Sequence, residues 1–218
     1  MDRYKAIFLD YTGTMVREDD PYTMRLLNIF LFSSILKKPE EALRTVWGLI
    51  KKTEWECYRD SFVKKDEMVN RILNICVQEY QLQYDLEELH EIWRNSWIYA
   101  PLFEDVRPFV ERCSLPVYVV TNDDLCYVQQ SLEEKKLRVA GIISAETVRA
   151  CKPHTEILEE ALRVSGVAPE EAVMIGDSEE SDINCALKTG IVPILLDRKG
   201  KASRKDIRVI RSLEELSF

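Results

Sequence analysis

Four short clusters carry the residue types that could do chemistry. Asp10-Tyr11-Thr12-Gly13-Thr14 opens with an acid, and Val120-Thr121-Asn122 offers a hydroxyl and an amide. Lys152-Pro153 offers a cation, and Gly176-Asp177-Ser178 is followed by a further acid at Asp182. Two carboxylates such as Asp10 and Asp177 suffice for magnesium, which completes its octahedron with water and phosphate oxygens. A hydroxyl and a lysine supply what phosphoryl transfer asks for, positioning and the neutralisation of spreading negative charge. Each cluster also has a plain structural reading. Asp10 and Gly13 suit a turn, Thr121 is an ordinary β-branched strand residue, and Lys152 precedes a helix-starting proline. Asp177 with Glu180 matches a capping pattern. Four such clusters, in this order and at strand ends, are poorly explained by those readings together.

The elements that must position them follow from hydrophobic texture. Residues 4–10 form a short apolar run ending in an acid, as a buried strand does at its carboxyl end. From 17 to 100 the pattern turns helical: Met24, Leu27 and Leu31 keep helical spacing, as do Leu43, Val46, Trp47 and Ile50, and Met68, Ile72 and Ile75. Pro39 followed by Glu40 and Glu41 reads as a helix start. After Pro101, strands are predicted at 116–121, 141–144, 172–176, 192–196 and 207–210. Helices are predicted near 103–113, 123–136, 154–165 and 179–189. Strands alternating with helices predict an α/β fold, a Rossmann-like parallel sheet covered on both faces. The expected division is a core of residues 1–16 and 101–218, with an all-helical cap, 17–100, inserted after the first strand. In such sheets functional groups gather outside the carboxyl ends of the strands.

With those clusters in that order, the chain resembles the haloacid dehalogenase superfamily over residues 4–16 and 101–196. The helical block resembles that superfamily's cap in position more than in sequence. The resemblance implies that Asp10 is a nucleophile that becomes an aspartyl-phosphate. It implies that Thr121, beside Asn122, holds the phosphoryl group and that Lys152 steadies nucleophile and phosphate. Asp177 matches a magnesium ligand, Asp182 supports the metal site, and the Thr12 carbonyl stands where the family supplies another ligand. Physical chemistry is consistent with these roles, since a carboxylate attacking a phosphate dianion needs a divalent cation and a lysine to offset like-charge repulsion.

Thr12 is the departure. Most phosphatases of the superfamily carry a second Asp there as general acid and base, and a threonine cannot protonate a leaving alkoxide near neutral pH. A similar Thr occurs in the Asp-Lys-Thr-Gly-Thr motif of the P-type ATPases, which the length and lack of membrane spans exclude. Haloacid dehalogenases work without metal, so Asp177 and Asp182 argue against dehalogenation. Gly48-Leu49-Ile50-Lys51 is similar to the segment of phosphonoacetaldehyde hydrolase whose cap lysine forms a Schiff base. Lys51 also reads as the solvated last turn of a helix. Trp47, Trp55, Tyr58, Trp93 and Trp97 read as packing within the cap.

Composition narrows the partners. The chain has 218 residues, 46% hydrophobic and 31% charged, with thirty basic and thirty-eight acidic side chains for a net charge of −8. About 70% of the accessible surface of such a chain is buried on folding. The acidic balance argues against nucleic acid or an anionic membrane as the main partner. Arg198, Lys199, Lys201, Arg204 and Lys205 form a basic run without interleaved aromatics, expected to be a solvated loop. Six scattered cysteines fit neither a zinc site nor a disulfide framework, and the N-terminus lacks a signal pattern, so a cytoplasmic protein is expected. The expected function is a magnesium-dependent phosphohydrolase acting on a small phosphorylated substrate. A phosphonatase-like C–P hydrolase using Lys51 and a non-catalytic phosphate-binding relative stay open beside it, and the pattern sets no oligomeric state.

Overall fold

A computed structural model describes residues 3–218. Met1 and Asp2, part of the expected segment 1–16, lie outside the described residues. The first apolar run forms β1 (Ala6–Leu9), every residue of which is buried. It sits at the centre of the sheet, where both faces are covered and a strand reads as continuously apolar. Side chains still alternate between faces. Ala6 and Phe8 join one hydrophobic cluster and Ile7 and Leu9 the other.

Four long helices follow before the chain returns to the sheet: α1 (Pro21–Ser33), α2 (Pro39–Glu56), α3 (Lys65–Tyr80) and α4 (Leu86–Tyr99). Their starts carry ordinary capping chemistry. The Asp20 carboxylate accepts from the backbone N–H groups of Tyr22 and Thr23, and Asp85 does the same for Glu87 and Glu88, satisfying amides that lack helical partners. Pro39 occupies the first turn of α2 with Glu40 and Glu41 beside it. Met68, Ile72 and Leu73 of α3 pack with Leu89 and Trp93 of α4 in a cluster that continues to Phe8 and Val120. Insertion and sheet therefore share one core.

The rest of the chain alternates: α5 (Val106–Arg112), β2 (Val117–Thr121), α6 (Leu125–Glu134), β3 (Gly141–Ser144), α7 (Ala145–Val148), α8 (Glu156–Ser165), β4 (Ala172–Gly176), α9 (Asn184–Thr189), β5 (Val192–Leu196) and β6 (Arg208–Ile210). The six strands are parallel in the order β3-β2-β1-β4-β5-β6. Strand order reverses between β1 and β4, so the loops after those two strands part and open a crevice.

Two details differ from the sequence expectation. The helix expected over 179–189 begins as a wide π turn, Glu179–Ile183, and becomes α-helical only at Asn184. The basic run is not wholly a solvated loop. Arg198 donates to both oxygens of Asp105 at 2.8 and 2.9 Å and to the Thr14 carbonyl at 3.0 Å. Its guanidinium also lies 3.9 Å from the Phe103 ring centre. Those partners are distant in sequence, so a charge run read locally could not reveal them. Lys201 and Lys205 of the same run are exposed.

Candidate functional site

Asp10 is fixed where β1 ends, its amide donating to the Ile175 carbonyl of β4 at 2.9 Å. The chain then turns sharply, with Met15 and Val16 both donating to the Tyr11 carbonyl. Gly13 makes the turn possible with φ at +87°, and a Cβ there would stand 2.7 Å from Asp177 Oδ2. Glycine is thus required twice, for conformation and for close approach. Thr14 donates its hydroxyl to Asp177 Oδ1 at 3.2 Å, tying the first cluster to the fourth.

Lys152 is 2% exposed, and its ammonium joins three elements. It donates to Asp10 Oδ1 and Asp182 Oδ1 at 2.6 Å each, and to the Val120 carbonyl at 3.0 Å. Asn122 holds the backbone of Lys152, accepting from its N–H at 2.7 Å and donating to its carbonyl at 3.1 Å. Burial alone would depress this lysine, but Asp10 and then Asp182 overcome it and hold it well above its ordinary value. Two carboxylates share one ammonium, so Asp10 is still pushed up to about 7, by burial first and Asp182 second, against the pull of Lys152. Asp177 borders the cleft, where burial first and Asp10 second push it up to about 6.

Asp123, which the sequence reading did not single out, organises the other side. Its Oδ2 accepts from the hydroxyls of Thr12 at 2.8 Å and Thr121 at 2.9 Å. Lys65, at the start of α3, comes within 3.7 Å of Asp123 Oδ1 and pairs with Glu54 of α2. Burial would lower Lys65, but Glu54 and then Asp123 hold it well above its ordinary value. Asp124 accepts from the backbone N–H groups of Lys65 at 2.8 Å and Asp66 at 3.1 Å. A sheet-end loop thereby caps a helix of the insertion. Consecutive acids directly after the Thr121-Asn122 pair were the one available sequence signal.

One cleft of about 700 Å³ is lined by Asp10, Thr12, Thr121, Asn122, Lys152, Asp177 and Asp182, so the structure gathers all four clusters. Lys51 also lines it but is exposed and forms no ion pair among the described residues. The buried lysine that the insertion brings to the sheet-end loops is Lys65. The five aromatics grouped above separate: Trp47, Trp93 and Trp97 line the cleft, whereas Trp55 and Tyr58 pack against His154.

Oxygen atoms of Asp10, Asp177 and Asp182 lie within 4.8 Å of one another, a hard-donor set that fits magnesium. Asp182 has both oxygens engaged, Oδ1 by Lys152 and Oδ2 by the Ser178 N–H at 3.0 Å. Its geometry suits support of the site, leaving Asp10 and Asp177 as the acids that could ligate directly.

A family model described as haloacid dehalogenase-like hydrolase matches residues 4–188, and the chain belongs to that family. Pyrophosphatase PpaX of Bacillus cereus is 28% identical over 148 residues, covering 66% of this chain and 64% of that protein. The match thus spans less than two thirds of that relative's length. Phosphoserine phosphatase of Thermus thermophilus is 32% identical over 122 residues, 51% of this chain and 47% of that protein. The fold matches the HAD-hydrolase YfnB of Bacillus subtilis, a structure bound to magnesium, with a TM-score of 0.75 at 21% identity over 98% of this chain and 96% of that one. The L-2-haloacid dehalogenase of Xanthobacter autotrophicus, with chloropropionic acid covalently bound, gives 0.78 at 14% identity over 97% and 96%. No helix among the described residues is long and apolar enough to cross a membrane.

Proposed function

We propose that the chain is a magnesium-dependent phosphohydrolase that uses Asp10 as nucleophile on a small phosphorylated substrate, with residues 17–100 as a cap over the core. The observation that carries this reading is the buried Lys152 ammonium, which clamps Asp10 at 2.6 Å in the cleft shared with Thr121 and Asp177. The phosphatase names of the relatives PpaX and phosphoserine phosphatase agree with it.

In this reading Asp10 attacks phosphorus, the bond to the leaving oxygen breaks, and an aspartyl-phosphate forms; water then hydrolyses it. Lys152 keeps the Asp10 carboxylate oriented and offsets the charge of the phosphoryl oxygens, while Thr121 positions them once its hydroxyl turns from Asp123. Asp10, Asp177 and the Thr12 carbonyl would hold magnesium, which would supply further neutralisation of that charge. Thr12 cannot protonate the leaving oxygen, and its hydroxyl is already donated to Asp123. Leaving groups that depart without a proton are therefore favoured, since positioned acid help is typically worth about 10² to 10⁴ in rate.

The test is phosphate release from acetyl, aryl and alkyl phosphates with magnesium present and after chelation. The reading expects turnover that requires magnesium, in the order acyl or aryl above alkyl. Undiminished turnover in Asp10→Asn would refute it, and negligible turnover of every ester would favour a phosphate-binding relative.

A further inference from the structure

Past the phosphoryl-binding loops the cleft continues into the insertion, and there its wall is apolar. Phe30 of α1, Val46, Trp47 and Ile50 of α2, and Trp93 and Trp97 of α4 line it. Phe30, Ile50, Trp93 and Trp97 are each 7% exposed or less, so they are core residues that nonetheless border the hollow. Besides Lys152, the cations on the lining are Arg17, Lys51 and Lys65; Arg17 is matched by Asp19 and Lys65 by Glu54 and Asp123. Acids dominate elsewhere on the lining, including Glu18, Glu179 and Glu180.

We propose that this wall is the binding site of the substrate's leaving group, and that the group is an uncharged aromatic alcohol of one or two rings. The inference rests on the phosphohydrolase reading for the other half of the substrate. Size allows it: a dry cavity of roughly 150 Å³ accepts a benzene, and this cleft has about 700 Å³ for ring and phosphoryl group together. Chemistry selects it. A polyol would exchange water for a wall that returns few hydrogen bonds, an unfavourable transfer. A second phosphate, as in pyrophosphate, would face Glu18, Glu179 and Glu180, with Lys51 as the lining cation not already matched by an acid among the described residues.

Thr12 points the same way independently. Its hydroxyl is donated to Asp123, so the leaving oxygen receives no proton from that position. A phenol-type oxygen tolerates this. As the Asp10–phosphorus bond forms, the phosphorus–oxygen bond breaks with its electron pair on the phenolate, which takes its proton from water. Attack of a second water on the aspartyl-phosphate then returns Asp10 and releases inorganic phosphate.

Two measurements test the proposal separately from the phosphohydrolase reading. In the first, kcat/KM is compared for 2-naphthylmethyl phosphate and glucose 6-phosphate; both are alkyl esters, so leaving-group acidity does not bias them. The naphthyl ester is expected to be favoured by at least about tenfold, the discrimination that even a small apolar difference produces in such a pocket. Val46→Asp is expected to cut that preference by about tenfold or more, chiefly through KM. Preference for glucose 6-phosphate overturns the proposal and leaves the phosphohydrolase reading standing. In the second, calorimetry compares 2-naphthylmethylphosphonate with methylphosphonate. Binding of the former at least about tenfold tighter supports the apolar site even if no ester is hydrolysed, and equal binding overturns it.

Discussion

Across one cleft, the sheet-end loops and the helical insertion face each other with opposite chemistry. The loops after β1, β2 and β4 present Asp10, Asp123, Asp177 and Asp182, with buried Lys152 between Asp10 and Asp182 and buried Lys65 beside Asp123. The walls of α1, α2 and α4 present Phe30, Val46, Trp47 and Trp97. Charge held in fixed hydrogen bonds favours one reaction geometry, because preorganised groups need no reorganisation as charge develops. Apolar walls fix no atom but reward a shape, which is how a ligand pocket discriminates. On the proposed reading, reaction chemistry and substrate choice reside on different elements, joined at Asp123 and Asp124, where sheet-end acids meet Lys65 and the start of α3.

The sharpest way to break this division is at the proposed nucleophile, Asp10. Asp10→Asn is expected to lower phosphate release by about 10⁴ or more, as removal of a covalent nucleophile does, with an unchanged circular dichroism spectrum. Loss of naphthylmethylphosphonate binding in the same variant would show that the two regions are not separable.

Lys152→Met should strike stability as well as activity. It leaves Asp10 and Asp182 buried without their cation, and breaking a buried pair typically costs about 3–5 kcal/mol. Urea unfolding near pH 7 should register that loss, and a lower pH should restore part of it by protonating the stranded acids. An unfolding midpoint equal to that of the wild type would mean the trio does not hold the sheet-end loops together.

The two regions should also answer pH in opposite directions in magnesium-free protein. Asp10, raised from 3.8 to about 7 by burial and Asp182, binds its proton more tightly in the folded state. Its contribution is present below about pH 4 and is lost as pH rises toward 7. Asp66 sits on the insertion, where the Arg94 guanidinium and then Tyr127 hold it at about 2 against the effect of burial. Its contribution is present above about pH 4 and is lost as pH falls toward 2. Chelated samples unfolded in urea from pH 2 to 8 should show both slopes, the upper flattened by Asp10→Asn and the lower by Asp66→Asn.

The smallest effect is expected at the junction. Asp124→Ala removes the acceptor for two amides at the start of α3, a capping loss of about 1 kcal/mol. Hydrogen exchange should rise at Lys65 and Asp66 while the amides of β1 and β4 stay protected. Equal loosening of both regions would show that insertion and sheet unfold as one unit.

Much of this molecule was legible in its sequence. The apolar runs at 116–121, 141–144, 172–176 and 192–196 lie within a residue of β2 through β5, because a strand buried on both faces writes its nature into four or five neighbouring residues. Asp10, Thr121 and Asp177 were readable for a related reason: a parallel sheet turns strand-end position into spatial proximity, whereas Lys152 follows α7 and is held at the site by Asn122. Tertiary structure alone decided the partners. Nothing near Thr12 announces that its hydroxyl goes to Asp123, nothing near Arg198 points to Asp105, and helical spacing could not distinguish Trp47, which borders the cleft, from Trp55, which packs against His154. Local periodicity tells which face of a helix is apolar, but whether that face meets another helix or an open cleft depends on segments far away in the chain, brought together only by folding.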